Sequence, residues 1–395
     1  MSVQDSAPFI RTVGVEEEYL LVSARTGRPI ATADAVLAAA AATAQTEPIS
    51  DLSNGVPARQ AFLESEAKQE QVEAVSPPCT SLDDIRRTLV RGRRLADDAA
   101  QAVGARAVAL GTSPLPTASH VAADPRYHEM MNQFGLTMKE QLTCGLHVHV
   151  NIASPEEGVA VLDRIRPWLP VLLSLSSNSP MWMGDDSAYS SYRYQAWGRW
   201  PSAGAYDPFG TPEGYRRRVT SLVSTGVLLD EGMVYFDARL CNHYPTIEIR
   251  VADVCMDVEH AVSIAALARA LVDTAAQEWQ AGVPPQPVST AELRLAMWAA
   301  SRFGTEGRLV HPVTGEPCTA AEAIDALLDH VQASLCRNGD LATTERTVHD
   351  IVRSGTGSHR QRQTFRRLRS ARSVVMEAIE YTHLASATPA VGALA

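Results

Sequence analysis

Alternation of apolar and polar residues picks out the strands of this chain. In TVGVEEEYLLV (residues 12–22), Val13, Val15, Glu17, Tyr19 and Leu21 share one face, and Glu16 and Glu18 share the other. In CGLHVHVNI (144–152), Leu146, Val148 and Val150 alternate with Gly145, His147, His149 and Asn151. In PTIEIRVA (245–252), Ile247, Ile249 and Val251 alternate with Thr246, Glu248 and Arg250. Residues 105–111 and 233–240 have strand composition as well. Helical patterns cover 31–44, 81–104, 155–177, 257–280, 290–303, 319–336 and 365–384. Ser81 with Asp84 opens the second of these and Gly104 closes it. Pro167 or Pro170 interrupts the third. The stretch 60–74 is ambiguous. Its composition suits a charged helix, while as a strand it would put Gln71 and Glu73 on one face, with Glu64 and Glu66 on the other parity unless a bulge intervenes.

The Gly-, Pro- and Ser-rich segment 178–215, following the turn-like DLSNGVP at 51–57 and a proline-containing loop at 112–140, is too long for a passive connection. The terminal ASATPAVGALA reads as a frayed tail. Strands and helices mix without a βαβ rhythm, and no repeat or domain boundary interrupts them. The expectation is a single α+β domain over 1–395, with its core at about 10–385, built on a largely antiparallel sheet.

Composition narrows the function. A 45% apolar, 20% charged chain folds, and a net charge of −10 argues against a nucleic-acid partner. No run of about 18 apolar residues predicts a membrane span, and the start shows no secretory signal. The six cysteines form no C-x-x-C pair, so reduced thiols in a cytoplasmic protein are expected. Among 35 basic residues only Lys68 and Lys139 are lysine; arginine suits forked contacts to carboxylate and phosphate.

The polar strand faces hold the chemistry. Glu16 and Glu18 on one face repel unless a cation sits between them, although an edge strand could simply wet them. His147 and His149 suit metal or phosphate, or a structural pair. Glu248 and Arg250 could be a plain ion pair, worth about 0–1 kcal/mol if exposed. Taken together, several inward carboxylates and imidazoles on one sheet imply bound cations. There is no P-loop, dinucleotide fingerprint, H-E-x-x-H or nucleophile elbow.

In the order GVEEEY, QVE with SPPC, CGLHVHV and PTIEIRVAD, the chain resembles the glutamate–cysteine ligase type 2 family of bacterial carboxylate–amine ligases, over roughly 10–385. GDDSAYSSYR at 184–193, DAR at 237–239 and RFGTEGRL at 302–309 fit it too. That family is similar in its sheet to glutamine synthetase. The resemblance implies a curved, largely antiparallel six-stranded sheet with helices outside, forming a catalytic funnel. It implies ATP and Mg²⁺ or Mn²⁺ as cofactors. Glu18, Glu73 and a further glutamate would hold one metal. Glu66 is expected as that glutamate, with Glu64 or Glu70 as alternatives. Glu16, His147 and Glu248 would hold the metal on the ATP phosphates. His149 would contact the nucleotide, Arg250 the transferring phosphate, and Arg193 and Arg239 would lie near substrate or phosphate. The implied reaction joins an amino-acid carboxylate, the glutamate γ-carboxylate, to an amine such as cysteine through an acyl phosphate, releasing ADP and phosphate. Partners are then small molecules, with a homo-oligomer plausible. The competing readings are a metal-dependent hydrolase of the amidohydrolase type, which also uses H-x-H, and a non-catalytic binding protein on the same fold.

Overall fold

A computed structural model describes residues 10–44 and 62–387, so the turn at 51–57 and most of the expected tail lie outside the described residues. The main sheet contains β1 (Val13–Ser23), β2 (Phe62–Ser65), β3 (Gln71–Val75), β4 (Ala105–Val108), β5 (Gly145–Asn151), β6 (Ala238–Leu240) and β7 (Thr246–Asp253). Six of them run in the order β2-β3-β1-β5-β7-β6, and the short β4 pairs with the end of β1 at Leu20–Ser23. Every pairing is antiparallel. β1 is therefore an interior strand, and its three glutamates are not the wetted face of an edge.

One face of the sheet is apolar. Val13, Val15, Leu146, Val148, Val150, Ile247, Ile249 and Val251 join the core beneath the helices Pro155–Ile165, Leu169–Ser176 and Val258–Gln280. The last is buried on nearly all sides, as expected of a helix apolar around its circumference. Glu17 belongs to this core face. Its carboxylate accepts from Arg93 Nη2 at 2.5 Å, Arg93 Nε at 3.0 Å and Tyr19 Oη at 2.7 Å. Arg93, on the Leu82–Ala102 helix, also donates to the carbonyls of Cys255 and Met256.

The structure corrects several boundaries. Residues 62–75 form the β2–β3 hairpin and not a helix. Glu, Gln and Lys favour helix in isolation, but here Val72 and Ala74 are buried and the strand completes the ladder of β1. The turn between β2 and β3 resets the parity, so Glu64 lies directly opposite Glu73. In 233–240 only Ala238–Leu240 is strand; a 3₁₀ turn at Glu231–Met233 precedes it. The 155–177 helix breaks at a 3₁₀ turn containing Pro167. Helices at Pro212–Val223, Leu341–Ser354 and Gly357–Leu368 were not anticipated as such. Within 178–215 lie a small hairpin and the helix Tyr192–Trp197. No helix among the described residues is long and apolar enough to cross a membrane.

Candidate active site

Strand register assembles the polar face in three rows. In the first, Glu64, Glu73 and Glu18 stand side by side across β2, β3 and β1. In the second, Glu16 faces His147 across β1 and β5. In the third, His149, Glu248 and Arg239 align across β5, β7 and β6. These residues line a cavity of about 410 Å³, together with Glu66, Gln71 and Arg250.

Contacts knit the rows together. Glu16 lies between the imidazoles, 3.2 Å from His147 Nδ1 and 3.1 Å from His149 Nε2. His149 Nδ1 meets Thr246 Oγ1 at 3.1 Å. Arg239 Nε donates to Glu248 Oε2 at 2.6 Å, and Arg250 donates to Glu248 Oε1. Glu248 and Arg250 thus form an ion pair as a local reading of the strand allows, but a largely buried one inside the cavity. The N–H of Gly145 donates to Glu18, and Gln71 Nε2 donates to the carbonyl of Thr143 at 2.6 Å.

Ligand atoms of Glu16, His147 and Glu248 lie within 4.8 Å of one another, and so do those of Glu18, Glu73 and His147. The electrostatics ask for a cation at the second group. Like charges directly opposite in a sheet destabilise it. Burial and the surrounding carboxylates Glu16, Glu66, Glu18 and Glu64 push the Glu73 carboxyl well above its usual range. Burial and Glu18 push Glu66 up to about 8. At the first group, burial raises Glu16, but hydrogen bonds from His147 and His149 outweigh it and hold the carboxyl low. Burial likewise raises Glu248, and the Arg250 and Arg239 charges override it. Burial and then the Arg250 charge lower His147, favouring the neutral imidazole that a metal needs. Burial lowers His149 too, yet Cys241 and Glu16 raise it to about 10. His147 Nε2 is buried without a hydrogen-bond partner, 3.9 Å from Glu18 Oε1. Carboxylate oxygens with one free imidazole nitrogen fit a hard divalent cation such as Mg²⁺ or Mn²⁺.

Not every expected residue converges here. Arg193 is buried and absent from the cavity wall; its Nη1 donates to the carbonyls of Arg250 at 3.4 Å and Val251 at 3.5 Å. It packs on Gly145, where a Cβ would collide with the guanidinium. Because Gly145 shares its face with His147 and His149, Arg193 lies on the polar side of the sheet, beside the Gly145 end of the site. Glu66 and Glu64 line the cavity without joining either three-residue group. Glu70 is turned away, bonded to His120 Nδ1 at 2.6 Å. Sequence reasoning did not place Lys68, Arg126, Tyr127, Trp197, Trp200 or Tyr235 in the site, and all of them line the cavity. Arg126, Tyr127, Trp197 and Trp200 fall in the two long loops suspected of function.

Comparison with known proteins agrees with this geometry. The profile of the family described as "Glutamate-cysteine ligase family 2" matches residues 12–382. A Paenarthrobacter aurescens (strain TC1) protein named "Putative glutamate--cysteine ligase 2-1" is 50% identical over 374 residues, covering 95% of each chain. A Streptomyces avermitilis protein of the same name is 48% identical over 94% of this chain and 99% of its own. Among solved structures, a bifunctional glutathione synthetase from Pasteurella multocida superposes with a TM-score of 0.68 at 15% identity, over 95% of this chain and 53% of that one. A Francisella tularensis glutamate–cysteine ligase in complex with AMP superposes with a TM-score of 0.66 at 14% identity, over 98% of this chain and 91% of that one. These structural likenesses speak to the fold, and the sequence relatives speak to descent. The chain belongs to glutamate–cysteine ligase family 2, and is a ligase that joins a carboxylate to an amine.

Proposed function

We propose that this ligase activates an amino-acid carboxylate, the γ-carboxylate of glutamate, with ATP and couples it to an amine such as cysteine. The observation that carries the reading is the polar sheet face itself: two metal-fitting groups side by side, next to two arginines paired on one glutamate. The names of the sequence relatives carry glutamate and cysteine, and the Francisella enzyme holds an adenine nucleotide.

A carboxylate is a poor electrophile. Its oxygen attacks the γ-phosphorus of ATP, the bond to the ADP oxygen breaks, and an acyl phosphate forms. The amine nitrogen then attacks the acyl carbon, loses a proton, and phosphate leaves. Glu16, His147 and Glu248 would hold one cation, and Glu18 and Glu73, with Glu66 beside them, a second. Bound divalent cations neutralise phosphate oxygens and the crowded carboxylates. Arg250, whose Nε has no hydrogen-bond partner, presents its guanidinium to the phosphate in transfer, Arg239 lies beside it holding Glu248, and His149 adds a donor to the nucleotide phosphates. Holding both substrates in line supplies much of the rest of the rate. An antiparallel sheet carrying E-x-R favours this reading over a barrel hydrolase.

The test is a screen of amino acids and amines for metal-dependent ADP release, with the product identified by mass spectrometry. A γ-glutamyl amide with stoichiometric ADP is expected. Amide hydrolysis without ATP would point to the hydrolase, and binding without turnover of any kind to the non-catalytic alternative.

A further inference from the structure

The turn between β2 and β3 carries a group that the reaction above does not use. Lys68 is fully buried, lines the active-site cavity, and its Nζ has no hydrogen-bond partner. The carboxylate two residues on, Glu70, is already engaged by the ring and the N–H of His120. The Lys68 backbone is held in place. It bridges to Val121, with Gln69 N–H donating to the His120 carbonyl at 2.9 Å and Ala122 N–H to the Ala67 carbonyl at 3.0 Å. In a chain whose other basic residues are all arginine but for Lys139, a buried lysine is an exception. A compact ammonium is the choice where one point charge is wanted in a tight space. Left unpaired in a dry site it is costly, and an anion arriving there would remove the cost.

Position says which anion. The strand order puts β2 and β3 at one edge of the sheet and β6 at the other. Arg239 lies on the β6 edge, and Arg250 is on its neighbour β7. Lys68 is in the turn at the opposite edge, past the Glu73–Glu18 row, and neutral Gln141 and Thr143 line the same cavity. A substrate with two carboxylates could span that distance, one end facing the phosphates and the other facing the ammonium. Resting on the ligase reading above, we propose that Lys68 anchors the second, non-reacting carboxylate of a dicarboxylic amino acid, and so selects the acid substrate.

The test pairs L-glutamate with its α-amide, which keeps the reacting carboxylate and loses the other charge. The wild-type enzyme should prefer glutamate by about a hundredfold in kcat/KM. Lys68→Met should raise KM for glutamate at least tenfold, leave KM for ATP and for the amine within about twofold, and leave the α-amide nearly unaffected. The preference then collapses. Equal losses on both acids, a shift in the amine KM instead, or an unchanged glutamate KM would each overturn the assignment. A second measurement needs no variant. With ¹³Cε-lysine labelling the chain gives only two side-chain signals, and the exposed Lys139 serves as reference. Glutamate should move the Lys68 signal alone, and the α-amide should not; no movement at saturating glutamate overturns the proposal. If the ligase reading itself fails, the wild type releases no ADP with any acid, while the labelled signal still reports whether a carboxylate binds.

Discussion

Glu17 and its two neighbours lie on one strand and differ only in the face they occupy. Glu17 points into the core, where Arg93 supplies the counter-charge, Tyr19 adds a hydrogen bond, and Arg93 ties β1 to the carbonyls of Cys255 and Met256. Glu16 and Glu18 point into the cavity, where Glu18 stands opposite another carboxylate and beside a histidine nitrogen without a hydrogen-bond partner. The protein supplies the counter-charge to Glu17, and to Glu16 through the two imidazoles, and leaves that of the Glu18–Glu73 row to a ligand. Buried pairs of the first kind fix geometry, and removing one partner is costly. Uncompensated carboxylates of the second kind have a use only when a cation arrives.

The sharpest way to break this comparison is to neutralise each glutamate in turn. Glu18→Gln or Glu73→Gln should lower ligase turnover by about a thousandfold and leave the melting temperature of the metal-free protein unchanged or raised, because each removes one of two opposed carboxylates. Glu17→Gln should do the reverse. It strands the buried Arg93 charge and should cost about 3–5 kcal/mol of stability in denaturant melts, while protein that remains folded keeps its metal dependence. A swap of these phenotypes would mean that the two faces have been misassigned.

Arg250→Lys sharpens the picture within the cavity. Lysine keeps the charge and can still pair with Glu248, but it cannot present a planar fork to phosphate. Steady-state kinetics should give a loss of at least about tenfold, mostly in kcat. Activity within a few-fold of wild type would reduce Arg250 to a structural partner of Glu248.

The smallest effect is on stability against pH. An unfolded Glu66 ionises near its ordinary 4.5, but in the folded chain it holds its proton up to about 8. The unfolded state therefore binds fewer protons in between, and stability of the metal-free protein should fall as pH rises through that window. Glu73 shifts in the same direction. Saturating Mg²⁺ or Mn²⁺ should reverse the slope, because binding releases the protons and stabilises the folded state. Melting temperatures from pH 5 to 8, with and without metal, check this; identical curves would remove the cation from the account.

The faces of β1, β5 and the first half of β7 were legible because alternation with one buried side specifies the register, whereas the bulge that puts both Val251 and Ala252 in the core was not. The hairpin at 62–75 was not, since Glu, Lys and Gln favour helix until the ladder of β1 is there to receive them. Glu17 could be assigned to the core face, but Arg93 could not be named as its partner, because it comes from a helix 76 residues away in sequence. Arg193 lies on the polar face against Gly145 but outside the cavity wall; a residue's place in a motif does not say how far along the sheet its side chain reaches. Lys68 stood out in the sequence by the scarcity of lysine in an arginine-rich chain, but nothing in the sequence placed it in the cavity.

The account as a whole stands on a substrate carboxylate attacking the γ-phosphate of ATP across the cavity face. Turnover with γ-carboxylate ¹⁸O-labelled glutamate tests it directly. The account predicts one labelled oxygen in the released phosphate, with ADP as the nucleotide product. AMP and pyrophosphate, or unlabelled phosphate from a reaction that is turning over, would contradict it.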